Sequence, residues 1–127
     1  MLKWLFIAVG GAVGSVLRYA FQGWVQNLST TIFPLGTLAV NFTACLAIGL
    51  LAGLFAGPQL IREEYRIGLT VGVLGGYSTF STFGLETFNL ANDKEFALAA
   101  MNVLLSCGFG ILAVWAGYRI AEYCFGV

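Results

Sequence analysis

The stretch LGTLAVNFTACLAIGLLAGLFAG, residues 35–57, holds no charged side chain and decides the fold class. An α-helix rises ~1.5 Å per residue, so about 20 apolar residues cross the ~30 Å hydrocarbon core of a bilayer. This run is long enough for one crossing, and the text on either side repeats its character. No Asp, Glu, Lys or Arg occurs from Tyr19 to Ile61, from Ile67 to Leu85, or from Phe96 to Tyr118. The chain of 127 residues is 59% apolar and 9% charged, whereas a soluble domain carries about 25% charged residues to face water. Four crossings are expected, at about Trp4–Trp24, Leu35–Gly57, Ile67–Phe88 and Phe96–Tyr118. The connections Val25–Pro34, Pro58–Arg66 and Asn89–Glu95 are too short for a second domain. Residues 1–127 therefore read as one all-α membrane bundle.

Composition removes several function classes. Six basic and six acidic residues give a formal net charge of zero, with no basic run for nucleic acid or anionic lipid. The absence of histidine removes imidazole acid–base chemistry and the commonest zinc ligand. Cys45, Cys107 and Cys124 form no CxxC pair and read as small buried thiols. Met1-Leu2-Lys3 looks like the start of a secretory signal, but Arg18 interrupts any such apolar region. The segment reads as an uncleaved first helix.

Small residues recur at four-residue intervals. Gly10 and Gly14 do so in the first span, Gly49, Gly53 and Gly57 in the second, Gly68, Gly72 and Gly76 in the third, Ala113 and Gly117 in the fourth. Lipid tails give helices no hydrophobic drive to associate, so close backbone approach through small residues does much of that work. Packing within one bundle accounts for most of these positions, and some are expected to meet a second copy of the chain. With an even number of spans, Lys3, Arg62, Arg66 and Arg119 share a side with the termini, and Arg18 and Lys94 take the other. That is a weak positive-inside bias. It fits either a loosely decided orientation or insertion both ways, which would permit an antiparallel dimer.

A few polar residues are costly where they sit. Arg18 lies ~21 Å along a helix that begins at Trp4. A central arginine costs roughly 2.5–3.5 kcal/mol on insertion scales and usually faces a bundle interior or an aqueous cavity. Snorkelling to the nearer interface is the other accommodation. In a cavity Arg18 would concentrate anions. Glu86 reads as an interfacial carboxylate near the far end of the third span. Asn41, inside the second span, needs partners or a ligand for its two N–H donors.

The third span carries Gly75-Gly76-Tyr77-Ser78-Thr79-Phe80-Ser81-Thr82-Phe83. Paired glycines weaken a helix by ~1 kcal/mol each relative to alanine, and hydroxyl-bearing residues crowd the positions that follow. One reading is a helix kinked at the glycines, with hydroxyls bonded back to its own carbonyls. The other, which the spacing favours, is a break at Gly75–Thr79 whose freed carbonyls can coordinate a cation. Phe80 and Phe83 stand three apart on one helix face. Such rings are often only packing, but their edges are positive and attract an anion without hydrogen-bonding it. In the fourth span Asn102 and Ser106 are one turn apart and extend a polar line.

Taken together these residues resemble the Fluc (CrcB-type) fluoride channels of bacteria and some other organisms. The matching text is Gly10-Gly11-Ala12-Val13-Gly14 with Arg18-Tyr19, then Gly36-Thr37-Leu38-Ala39-Val40-Asn41, then the run from Gly75 to Phe83. The resemblance implies a dual-topology antiparallel homodimer in the bacterial inner membrane, with two pores that pass fluoride passively and exclude chloride. It implies a structural, non-transported Na⁺ at the dimer interface, held by the backbone carbonyls of Gly75 and Ser78. It assigns Asn41, Phe80, Phe83, Ser81, Thr82 and Ser106 to the fluoride pore and Arg18 to the vestibule. Tyr77-Ser78 depart from the phenylalanine (or another residue) and threonine of many relatives, which a carbonyl ligand tolerates. Gly110 stands where the polar track can carry a hydroxyl.

Fluoride is small and tightly hydrated, so a pore must replace its water with donors and positive ring edges. A fixed cation inside the constriction would hold it too tightly for conduction. Two rival readings fit the length. A small multidrug-type proton-coupled exporter needs a carboxylate in its first span, where this chain has Arg18 and no acid. A non-transporting subunit of a larger membrane complex would account for the small-residue faces but not for the polar run from Gly75 to Phe83. An enzyme is disfavoured because no nucleophile–base constellation is present.

Overall fold

The computed structural model describes residues 1–57 and 61–126. Its elements in chain order are α1 (Leu2–Asn27), α2 (Leu35–Ala56), α3 (Glu63–Ile67), a π-helical segment (Gly68–Leu74), α4 (Gly75–Tyr77), α5 (Phe80–Asn92) and α6 (Phe96–Phe125). Every element among the described residues is a helix. The start of the expected loop Pro58–Arg66 lies outside them. Pro34 stands at the N-cap of α2, where its missing N–H is no loss. Gly126, with φ of 65°, closes α6 in the left-handed conformation that glycine adopts freely.

Three helices, α1, α2 and α6, are long and apolar enough to cross a membrane. The first and last run past the expected Trp4–Trp24 and Phe96–Tyr118, because nothing in the flanking sequence stops a helix there. The expected third span is not one rod. Helix runs from Glu63 to Tyr77, the backbone is extended at Ser78 and Thr79, and α5 starts at Phe80. Gly75 and Gly76 are helical, so the interruption lies just after the glycine pair rather than at it.

Side-chain contacts fix the direction of each helix. Lys3 Nζ reaches Glu63 Oε1 at 2.8 Å, which sets the start of α1 beside the start of α3. Gly36, at the start of α2, meets the backbone of Gln22 near the end of α1. Gly49 meets Val114 and Gly53 meets Ala121, so α2 and α6 run the same way. The chain therefore goes up through α1, down through α2, up from α3 to α5 and down through α6. The ion pairs Lys3–Glu63, Arg62–Glu64 and Arg119–Glu122 are screened by solvent and add little to stability.

The buried apolar side chains are mostly small: Val40, Ala44, Ala99, Ala113 and Ala121, with Phe33, Phe83 and Leu90. Large ones point outward, among them Trp4, Val16, Leu104, Ile111 and Trp115. That inversion suits a chain surrounded by lipid, where cohesion comes from close helix approach. Gly14 lies directly under the Val73 carbonyl, and Gly117 under the Leu46 carbonyl. Gly10, Gly68 and Gly72 likewise seat α1 on the π-helical segment. These positions are thus filled from within the chain. Gly84 and Gly108 instead face open space. Cys107 and Cys124 are exposed, contrary to the expectation of buried thiols, because they lie on outward helix faces, and Cys45 is half-buried with its Sγ against Gly110.

Replacing Gly117 with leucine is expected to leave no well-behaved protein, since a Cβ there collides with backbone rather than with a movable side chain. Loss of the monodisperse peak on size-exclusion chromatography in detergent would register this, and a normal peak would show that the α2–α6 seam is looser than described.

Candidate functional site

The interruption between α4 and α5 is held by α2. Asn41 Nδ2 donates to the Thr79 carbonyl at 2.9 Å, and the Thr79 N–H donates to Asn41 Oδ1 at 2.9 Å. One carboxamide so pairs with both backbone groups of the extended residue. In a continuous helix the Thr79 N–H would close on the Gly75 carbonyl. Its diversion to Asn41 takes that donor away from Gly75. The Leu74 carbonyl, in contrast, accepts from both the N–H and the hydroxyl of Ser78.

Thr79 caps the next helix. Its Oγ1 accepts from the Thr82 N–H at 3.3 Å and donates to Thr82 Oγ1 at 2.9 Å, as N-cap threonines do. α5 so begins with Phe80 and Phe83 on neighbouring positions. Their ring centroids are 5.4 Å apart with the planes at 51°. Phe83 is 9% exposed and Phe80 82%, so the pair runs from the interior of the chain to its outside. Ser81 is also exposed and Thr82 half-buried.

A second polar line follows Phe83. The Thr87 hydroxyl donates to the Phe83 carbonyl at 2.7 Å, Asn102 Nδ2 donates to Thr87 Oγ1 at 2.9 Å, and Ser106 donates to Asn102 Oδ1 at 3.4 Å. Asn102 is fully buried, and its amide links α6 to α5 through Thr87. The structure thus joins Ser106 to Phe83 through Asn102 and Thr87.

A third line lies nearer the end of α5. Gln22 Nε2 donates to Thr37 Oγ1 at 3.0 Å and Thr37 donates to Glu86 Oε1 at 2.8 Å. Glu86 Oε2 is buried without a partner among the described residues. Glu86 was expected as a carboxylate one turn from water, yet α2 covers one of its oxygens. An open cavity of about 760 Å³ adjoins it, lined in part by Tyr19, Gln22, Gln26, Asn89 and Asp93. Arg18 is not in that lining; it is half-buried and makes no hydrogen bond or ion pair among the described residues.

Sequence reasoning did not single out Gln22, Gln26, Thr37, Thr43 or Thr87. Each is a polar residue in an apolar helix, a signal of the same kind as Asn41. Gln26 ties the α1–α2 turn by donating to the Thr31 and Phe33 carbonyls and accepting from the Gly36 N–H. Among the described residues no three His, Cys, Asp or Glu side chains come together as a metal site.

An all-helical chain with an apolar exterior and polar lines inside it is a multi-pass membrane protein. A family model described as "CrcB-like protein, Camphor Resistance (CrcB)" matches residues 5–118, and the chain belongs to that family. It is 48% identical to the "Fluoride-specific ion channel FluC" of Geobacter sulfurreducens, over 93% of this chain and 95% of the relative. It is 42% identical to "Fluoride-specific ion channel FluC 1" of Methanosarcina acetivorans, over 97% and 96%. It is 43% identical to the "Fluoride-specific ion channel FluC" of Pseudomonas putida, over 92% and 94%. These relatives are named as ion channels, a class that catalyses no reaction.

Proposed function

We propose that this protein is a passive, fluoride-selective channel that crosses the membrane four times and lowers cytoplasmic fluoride by letting it leave the cell. The observation that carries this reading is the pair Phe80 and Phe83 at the head of α5, one ring exposed and one buried, beside the Thr79–Thr82 cap. Aromatic edges and hydroxyl donors are a suitable lining for an anion that must shed water. Relatives named as fluoride-specific channels support the choice of ion.

The pore lining assigned to this chain is Asn41, Phe80, Ser81, Thr82, Phe83 and Ser106, with Arg18 in the vestibule. One N–H of Asn41 is engaged by Thr79, and its second is available to an anion. Ser106 donates to Asn102 over 3.4 Å, a long bond that an anion can replace. Phe80 at 82% exposure leaves one wall of such a path open. A second copy closing it in antiparallel orientation agrees with the weak charge bias of the loops and with the uncovered Gly84 and Gly108.

For a structural Na⁺ in the membrane midplane the fit is chemical. Gly75 has lost its helical donor and Ser78 is extended, so their carbonyls are hard oxygen ligands of the kind that unwound membrane helices offer. Two carbonyls are too few for a complete shell, and symmetry would double them. Bound there, the ion would supply fixed positive charge at a distance from the pore.

The purified protein in liposomes is expected to release fluoride and retain chloride. Absence of fluoride efflux, or equal chloride efflux, would overturn the reading. Exhaustive removal of Na⁺ is expected to lower activity and loosen the dimer; retention of both would count against the Gly75–Ser78 site. The exporter reading fails on the same point as before, since α1 still offers no acid.

A further inference from the structure

Tyr77 is the last residue of α4, and its side chain is not part of the ion path described above. Its phenolic oxygen lies 2.9 Å from Thr43 Oγ1 on α2. Thr43 Oγ1 is also 2.9 Å from the Ala39 carbonyl and 3.0 Å from the Val40 carbonyl of its own helix. A hydroxyl has one proton. The two carbonyls can only accept, so the Thr43 proton is directed at them, as mid-helix threonines commonly arrange. Tyr77 must then be the donor and Thr43 the acceptor, which fixes the direction of a bond whose geometry alone leaves it open. The Phe21 ring, 6.5 Å from that of Tyr77, flanks it from α1.

We infer that Tyr77 and Thr43 are a positioning pair that holds the helix before the interruption, as Asn41 holds the residue after it. α2 thereby grips both sides of Ser78: Tyr77 through Thr43, and Thr79 through Asn41. With both grips in place, the Ser78 carbonyl and the start of α5 at Phe80 have one position relative to α2. Loss of the Tyr77 grip lets α4 turn about its axis while Thr79 stays fixed, so the Ser78 carbonyl moves first. The role deepens the channel reading and rests on it for its consequence, but the grip itself is independent of any ion.

The bond direction makes the two single substitutions unequal. Y77F removes the donor and leaves Thr43 still bonded to its own helix. T43V leaves the Tyr77 O–H without an acceptor in an apolar setting, which is the worse of the two. Combining them leaves neither group unpaired, so the double variant should recover toward Y77F, a non-additive cycle. T43S keeps the acceptor and should behave as the parent chain.

The test uses the full chain with Y77F, T43V, T43S and the double variant. Backbone hydrogen exchange across Gly76–Phe80 reads the grip, and fluoride efflux with the fluoride-to-chloride ratio reads its consequence. Exchange at Ser78 is expected to quicken roughly fivefold in Y77F and more in T43V, while Thr79 stays near the parent rate, with loss of selectivity in the same order. Rescue by T43S and partial recovery in the double variant complete the expected result. Parental exchange in both single variants, or additive effects in the double, would overturn the positioning role. If the parent chain passes no fluoride, the channel reading falls and exchange alone decides the grip. Altered exchange with unchanged efflux and selectivity would overturn the link to the pore.

Discussion

Replacing Phe80 and Phe83 together with isoleucine is expected to abolish fluoride efflux while the protein remains folded and assembled. The rings are 5.4 Å apart and tilted, and isoleucine keeps most of their apolar surface while removing the positive ring edge. The two positions differ in what else they do. Phe80 is 82% exposed, so F80I should leave stability almost unchanged. Phe83 is buried, and its carbonyl accepts from Thr87 one turn on. F83I there changes shape in a packed site and is expected to destabilise by about 1–2 kcal/mol. Efflux from liposomes, read beside size-exclusion chromatography of the same samples, separates the two effects. Parental efflux in the double variant would show that the rings only pack.

Asn41→Leu should be nearly as damaging, for a different reason. It removes the partner of both Thr79 backbone groups at once. Each unpaired buried amide group costs about 1–3 kcal/mol, and no water in the bilayer core relieves it. The extended residue is then expected to draw back into helix, with its N–H returning to the Gly75 carbonyl. That would shift the start of α5 and disorder the head of the proposed pore. Expected results are efflux reduced by roughly 100-fold or more, from a barrier change of about 3 kcal/mol, and a rise in helical signal by circular dichroism. A leucine variant that conducts normally would show that the interruption does not depend on the carboxamide.

Much of the fold can be read directly. Charge-free runs of bilayer length locate the helices, because no soluble alternative can bury them, and short loops make each segment run opposite to the one before it. Helix ends are less legible: α1 and α6 overrun their apolar segments because an amphipathic tail propagates a helix as readily as an apolar one. The interruption falls within the expected Gly75–Thr79, but its exact place in that run is less legible. Glycine pairs weaken a helix intrinsically, but Gly76 packs against the Gly11 backbone, and that tertiary contact keeps it helical. The helix ends instead where Asn41, far along the chain, captures the Thr79 amide.

Sequence by itself determined that this protein lives in a membrane as a helical bundle, and that the segment from Ile67 to Phe88 is unlike the other apolar segments. Those conclusions need only the length of apolar runs and the chemistry of residues 75–83. What each polar side chain does was decided by tertiary structure. Asn41 could be known as an amide in an apolar span, yet its pairing with Thr79 depends on how α2 lies against the interruption. Glycine spacing announced close packing, but which helix meets which is a matter of register between segments distant in sequence. Glu86 looked interfacial by position and is half-covered because Thr37 reaches it from α2. The physical reason is common to all three: a periodicity is local and can be read along one helix, while a hydrogen-bond partner across the bundle is fixed only when two helices have docked.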